Sequence, residues 1–81
     1  MKYIFTPTAE EHFDNLTSLN RRRIGAKMRF YAKQPEPLKF AEPLTGSSEY
    51  RFRIGDYRVM FEILHDTIWV TAIKRRDEAY R

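Results

Sequence analysis

The stretch YRFRIGDYRVMFEI, residues 50–63, decides the fold. Tyr50, Phe52 and Ile54 alternate with Arg51 and Arg53. After Gly55-Asp56, the residues Tyr57, Val59, Phe61 and Ile63 alternate with Arg58, Met60 and Glu62. A period of two on both sides of a two-residue turn signal is the pattern of a β-hairpin. The expected register sets Ile54 opposite Tyr57, Arg53 opposite Arg58, Phe52 opposite Val59 and Arg51 opposite Met60. The apolar set then lies on one face. The other face carries Arg51, Arg53 and Arg58 beside Met60, Trp69 and Thr71, with Glu62 as its one expected acid.

Outward from the hairpin, His65-Asp66 marks a second turn into a strand with Ile68, Val70 and Ala72 on the apolar face, before the charged tail Lys74 to Arg81. Upstream, KQPEPLKFAEPLTG (residues 33–46) holds three of the four prolines and reads as a loop. Ile24, Met28 and Tyr31 recur at helical spacing in a helix that must end before Pro35, with Asn20 as its expected cap. Ala9, Phe13 and Leu16 mark an earlier helix, which starts either at Thr6 as cap with Pro7 at the first helical position or at Thr8 with Glu11 as a capping box. Leu19 is expected to close its apolar stripe. Met1 to Phe5 is a short strand. The order β-α-α-β-β-β predicts an α+β fold, with a helical hairpin packed on one face of a small four-stranded sheet. Periodicity alone leaves the strand order open.

At 81 residues the chain has room for a single domain, residues 1–81. Its 42% apolar content suffices for a core, and the absence of cysteine excludes disulfides, thiol catalysis and Cys-ligated zinc. Apolar runs such as Val59-Met60-Phe61 are too short to span a bilayer, no signal-peptide pattern opens the chain, and a cytoplasmic location is expected. The net charge of +4 permits a polyanionic partner without requiring one.

Two arginines facing each other across a ladder repel by up to about 1 kcal/mol, so Arg53 opposite Arg58 is costly. Exposed strands can carry arginines that splay into water, but converging guanidinium groups suit bidentate contact with phosphate. If Arg58 serves only that end, its removal should leave the fold unharmed. Arg21-Arg22-Arg23 likewise opposes the helix dipole, as a solvated corner, a backbone-phosphate contact or a docking patch for an acidic partner. His12 and His65 are expected to be far apart, each without a catalytic role. With one acid on the open face, no metal or other cofactor is expected. Arginine, lysine and tyrosine remain, and these can cleave RNA when the 2′-OH attacks the adjacent phosphate in line. Tyr80 lies among cations that would favour its phenolate.

The hairpin motif, followed by IWVTAIKRRDEAYR (residues 68–81), resembles the signature of RelE/ParE-superfamily toxins of toxin-antitoxin systems. Thr6-Pro7 and Leu44-Thr45-Gly46 are also similar, so the resemblance covers nearly the whole chain. It implies a ribosome-dependent mRNA endoribonuclease and a cognate antitoxin that wraps and blocks it in a hetero-oligomer, with no membrane partner. It matches Arg51, Arg53 and Arg58 to residues that bind and polarise the scissile phosphate, and Arg76, Tyr80 and Arg81 to the C-terminal pattern. Arg53, Arg58, Arg76 and Tyr80 are the implied catalytic residues; Arg51, Lys74, Arg75 and Arg81 are the implied RNA-binding set. Arg75 stands where the family commonly has His, which removes a possible general acid or base. The alternatives are a gyrase poison of ParE type and a non-catalytic RNA-binding member.

Overall fold

The computed structural model describes residues 1–79. Its elements are β1 (Lys2–Phe5), α1 (Pro7–Asp14), α2 (Ser18–Lys33), a 3₁₀ turn (Pro37–Phe40), β2 (Ala41–Pro43), β3 (Tyr50–Ile54), β4 (Tyr57–Leu64), β5 (Thr67–Arg75) and a short α3 (Arg76–Ala79). The α+β class and the helical pair are as expected. The sheet has five strands instead of four, in the order β1-β5-β4-β3-β2, with β1 parallel to β5 and the other neighbours antiparallel. The added strand lies inside the proline-rich stretch. It is only three residues long, ends in Pro43 and occupies the sheet edge, where proline costs no ladder bond.

The hairpin adopts the expected register, including Arg53 opposite Arg58 and Phe52 opposite Val59. Gly55 opens the turn at φ 57, which glycine adopts without a Cβ clash, whereas His65 and Asp66 hold φ 51 and 56 at the second turn. β5 departs from plain alternation. Met60 pairs with Ala72 but Phe61 with Val70, so Thr71 is an inserted residue. The bulge reverses the phase beyond it, burying Ile73 and putting Ala72 on the open side, opposite to the expected assignment. His12 secures this point, its Nδ1 accepting from the Ile73 N–H at 3.1 Å. An accepting Nδ1 leaves the ring proton on Nε2.

The core lies between the helices and the apolar sheet face. Phe52 stacks on Tyr31 at 4.2 Å and on Phe61 at 4.3 Å between ring centroids, with Ile24, Met28, Val59, Ile68 and Val70 buried around them. Burial raises the pKa of the Tyr31 phenol.

Of the two expected starts of α1 the structure uses Thr6, its hydroxyl accepting from the Ala9 N–H at 3.2 Å while its own N–H donates to the Val70 carbonyl at 2.9 Å. α2 begins earlier than expected. Its cap is Thr17, which accepts from the Asn20 N–H, and Leu19 is an exposed residue of α2 instead of the end of the α1 stripe. Thr6→Ala is expected to cost about 1 kcal/mol of folding stability, read from the shift of a urea midpoint, because it leaves a first-turn N–H without its acceptor.

Candidate nucleic-acid interface

β3, β4 and β5 each contribute one cation to a cross-strand row. Arg53 pairs with Arg58 and Arg58 with Lys74, while Arg51 lies two pairs along the ladder, opposite Met60. β-pleating puts these side chains on the face away from the helices, because their neighbours Phe52, Val59 and Ile73 are in the core.

The expectation of a single acid on this face does not hold. β2 sets Glu42 opposite Arg51, and Glu42 Oε2 accepts from Arg51 Nε at 3.2 Å and from Nη2 at 3.1 Å. Its Oε1 accepts from Arg53 Nη1 at 3.3 Å. The Arg51 hydrogen bond is the largest influence in holding the Glu42 carboxyl below the usual carboxylate range, with the charges of Arg51 and Arg53 adding to it against some desolvation. Glu49 accepts from the Thr71 hydroxyl at 2.5 Å and Glu62 from the Ser48 hydroxyl at 3.0 Å. Among the described residues no group of three or more His, Asp or Glu side chains is placed to hold a metal.

Arg58 occupies the expected ladder position but is only 2% exposed, where an open guanidinium was expected. Its Nη1 donates to the Tyr57 carbonyl at 2.9 Å and to the Gly55 carbonyl at 3.1 Å, so it braces the hairpin turn. A buried charge needs such hydrogen bonds to be tolerated, so removing the side chain would harm the fold, contrary to the sequence reading. Arg53 remains largely in solvent, and Lys74 is exposed.

The basic tail divides between the two sides of the sheet. Arg75 pairs with Tyr57 on the helix side and lines a cavity of about 230 Å³ with Asn20, Arg23, Asp56 and Tyr57. It does not join the Arg53–Arg58–Lys74 row. Arg76 opens α3, exposed, its N–H donating to the Asp56 carbonyl at 2.7 Å. Tyr80 and Arg81 lie outside the described residues. Of the arginine triplet, Arg21 Nη1 donates to the carbonyls of Leu16 at 2.5 Å and Asp14 at 3.3 Å, satisfying orphan acceptors at the end of α1. Arg23 reaches the hairpin turn, within 3.7 Å of the point where a side chain on Gly55 would begin. A dipole conflict in the sequence is thus offset, in part, by a tertiary role. No described helix is long and apolar enough to cross a membrane.

The fold is shared with solved toxins. The crystal structure of the toxin-antitoxin complex RelBE2 from Mycobacterium tuberculosis contains a chain with a TM-score of 0.78 and 24% identity, over 93% of this chain and 90% of that one. The isolated RelE toxin of E. coli superposes with a TM-score of 0.77 at 16% identity, covering 98% and 89% of the respective chains. A chain of the archaeal RelE-RelB complex from Pyrococcus horikoshii gives 0.74 at 24% identity, with 93% of both chains covered. No relative among curated proteins matches the sequence. The family model described as the ParE toxin of the type II toxin-antitoxin system, parDE, matches residues 3–80. With nearly every residue inside that match and a fold shared with RelE toxins, the chain belongs to the RelE/ParE superfamily of type II toxins.

Proposed function

We propose that this toxin inhibits translation as a ribosome-dependent, metal-independent mRNA endoribonuclease, held in check by a cognate antitoxin. The observation that carries the reading is the row Arg53–Arg58–Lys74 with Arg51 beside it, a concentration of positive charge that the ladder itself disfavours. Such a row suits the scissile phosphate of a single RNA strand. In the reaction the 2′-oxygen forms a bond to phosphorus, the bond from phosphorus to the 5′-oxygen breaks, and the products are a 2′,3′-cyclic phosphate and a 5′-hydroxyl. The 2′-OH proton leaves to a base, and the 5′-oxygen takes up a proton. Arg53 and Arg51 hold the phosphate oxygens. Arg58 is a fixed charge at the floor of the site, and Lys74 extends the positive field along the strand. Arg76 stabilises the transition state, and Tyr80 stacks on a base or relays a proton. With Arg75 standing where the family commonly has His, the protein relies on the ribosome to impose in-line geometry.

The antitoxin reading is supported by the RelE neighbours, several of which are solved as complexes with RelB. An acidic, aliphatic segment complements the positive face and its apolar neighbours. A second reading, a gyrase poison, is favoured by the ParE description of the matching family. Mapping transcript 5′ ends after induction separates the two. Cuts within translated frames that leave 5′-hydroxyl ends and persist without added divalent metal beyond the ribosome's own requirement are the expected result. Intact messages with altered DNA supercoiling would transfer the assignment to gyrase. Products with 5′-phosphates would overturn the mechanism by requiring water as the nucleophile.

A further inference from the structure

We propose that Glu42 is an internal competitor for the phosphate site, its carboxylate occupying the place between Arg51 and Arg53 that a substrate phosphate must take. The inference rests on the RNA-cleavage reading for its substrate, and on the geometry of three side chains for its substance. Glu42 presents two oxygens to two guanidinium groups, Oε2 to the Nε and Nη2 of Arg51 and Oε1 to Nη1 of Arg53. A phosphate would offer these donors the same pattern of two anionic oxygens. Guanidinium forks recognise carboxylate and phosphate with the same planar geometry.

The position of Glu42 suits an occupant that can leave. It lies on β2, a three-residue edge strand that ends in a proline and has a ladder partner on one side only. Its side chain retains 38% of its exposure and that of Arg53 61%, against 14% for Arg51, so water and a phosphate reach the carboxylate from the Arg53 side. The carboxyl is held ionised by its partners, which keeps the competing charge present at neutral pH. Free toxin therefore presents a partly neutralised site. A phosphate with the affinity to displace Glu42 is selected over weaker anions, and the displaced carboxylate remains beside the site to favour product release.

The test uses inorganic phosphate, which reads the anion site without any demand for RNA cleavage. The side-chain Nε–H resonances of Arg51 and Arg53 are followed by NMR during a phosphate titration. Glu42→Gln keeps the shape and removes the charge, and should bind phosphate about 10-fold more tightly, whereas Glu42→Asp, which keeps the charge, should stay near the parent. Unchanged or weaker binding by a folded Glu42→Gln protein would overturn the proposal and make Glu42 a prop that orients the arginines. A second measurement needs no variant: in the parent, the Glu42 side-chain carboxyl ¹³C resonance should move in step with the arginine resonances. A carboxyl resonance that stays fixed as phosphate saturates the arginines would also overturn it. If phosphate displaces Glu42 yet mRNA survives intact, the inference stands and the cleavage reading falls.

Discussion

Phe61→Ala is expected to lower folding stability by about 3 to 5 kcal/mol, the usual cost of deleting a buried aromatic ring. Phe61 is fully buried on the central part of β4, stacked on Phe52 at 4.3 Å and facing Tyr50 at 5.8 Å. Phe52 in turn stacks on Tyr31 of α2, so one ring ties the sheet to the helical layer. Nothing adjacent can collapse into the vacated volume without breaking that stack. A protein of this length has about 4 to 12 kcal/mol in total, so the variant should be close to unfolding at room temperature. Urea titration monitored by Trp69 fluorescence reads the effect, and a loss below about 1 kcal/mol would contradict the core as described.

Arg53→Ala is expected to reduce cleavage of ribosome-bound mRNA by about 100 to 1,000-fold, the usual consequence of losing one donor to a developing negative charge. Arg53 is the better position for this test. Its side chain is mostly in solvent and pairs with the half-buried Glu42, so its removal should leave the fold intact. Arg58→Ala would confound chemistry with folding, since it strips a buried donor from the Gly55 and Tyr57 carbonyls. Growth arrest on expression should largely vanish for Arg53→Ala while circular dichroism stays that of the parent. A folded Arg53→Ala protein with full ribonuclease activity would remove the cationic row from the mechanism.

The difference between these two arginines marks how far the sequence could be read. The ladder positions of both followed from a strict period of two around Gly55-Asp56, because a one-residue slip would have turned Phe52 and Val59 outward. Burial of Arg58 did not follow. It depends on the guanidinium folding back toward the turn carbonyls, a choice of rotamer that no periodicity encodes. Glu42 escaped notice for a different reason: three prolines made residues 33–46 look like a loop, and a three-residue edge strand has too few positions to show alternation. For α2, Asn20 and Thr17 were both competent caps by type, and the structure uses Thr17. The family resemblance added the C-terminal residues, and of these it placed Arg75 in a group that the sheet separates.

That separation has its origin in Thr71. In an unbroken strand, every second residue after Val70 would keep its phase, Ala72 would face inward, and Arg75 would share the outer surface with Arg53 and Arg58. One additional residue exchanges these roles, turning Ile73 inward and giving the outer position to Lys74. The charge chemistry of the surface is therefore set by the register of a strand as well as by its side chains. The bulge thus selects a compact, strongly hydrated ammonium over a planar guanidinium for the third place in the row, with no substitution among the cations themselves. The His12 ring and the Thr6 backbone, which hold Ile73 and Val70 on either side of the insertion, oppose a slip of that register. A slip of the register past Thr71, and no change of side chain, is what would exchange Lys74 for Arg75 on the outer face.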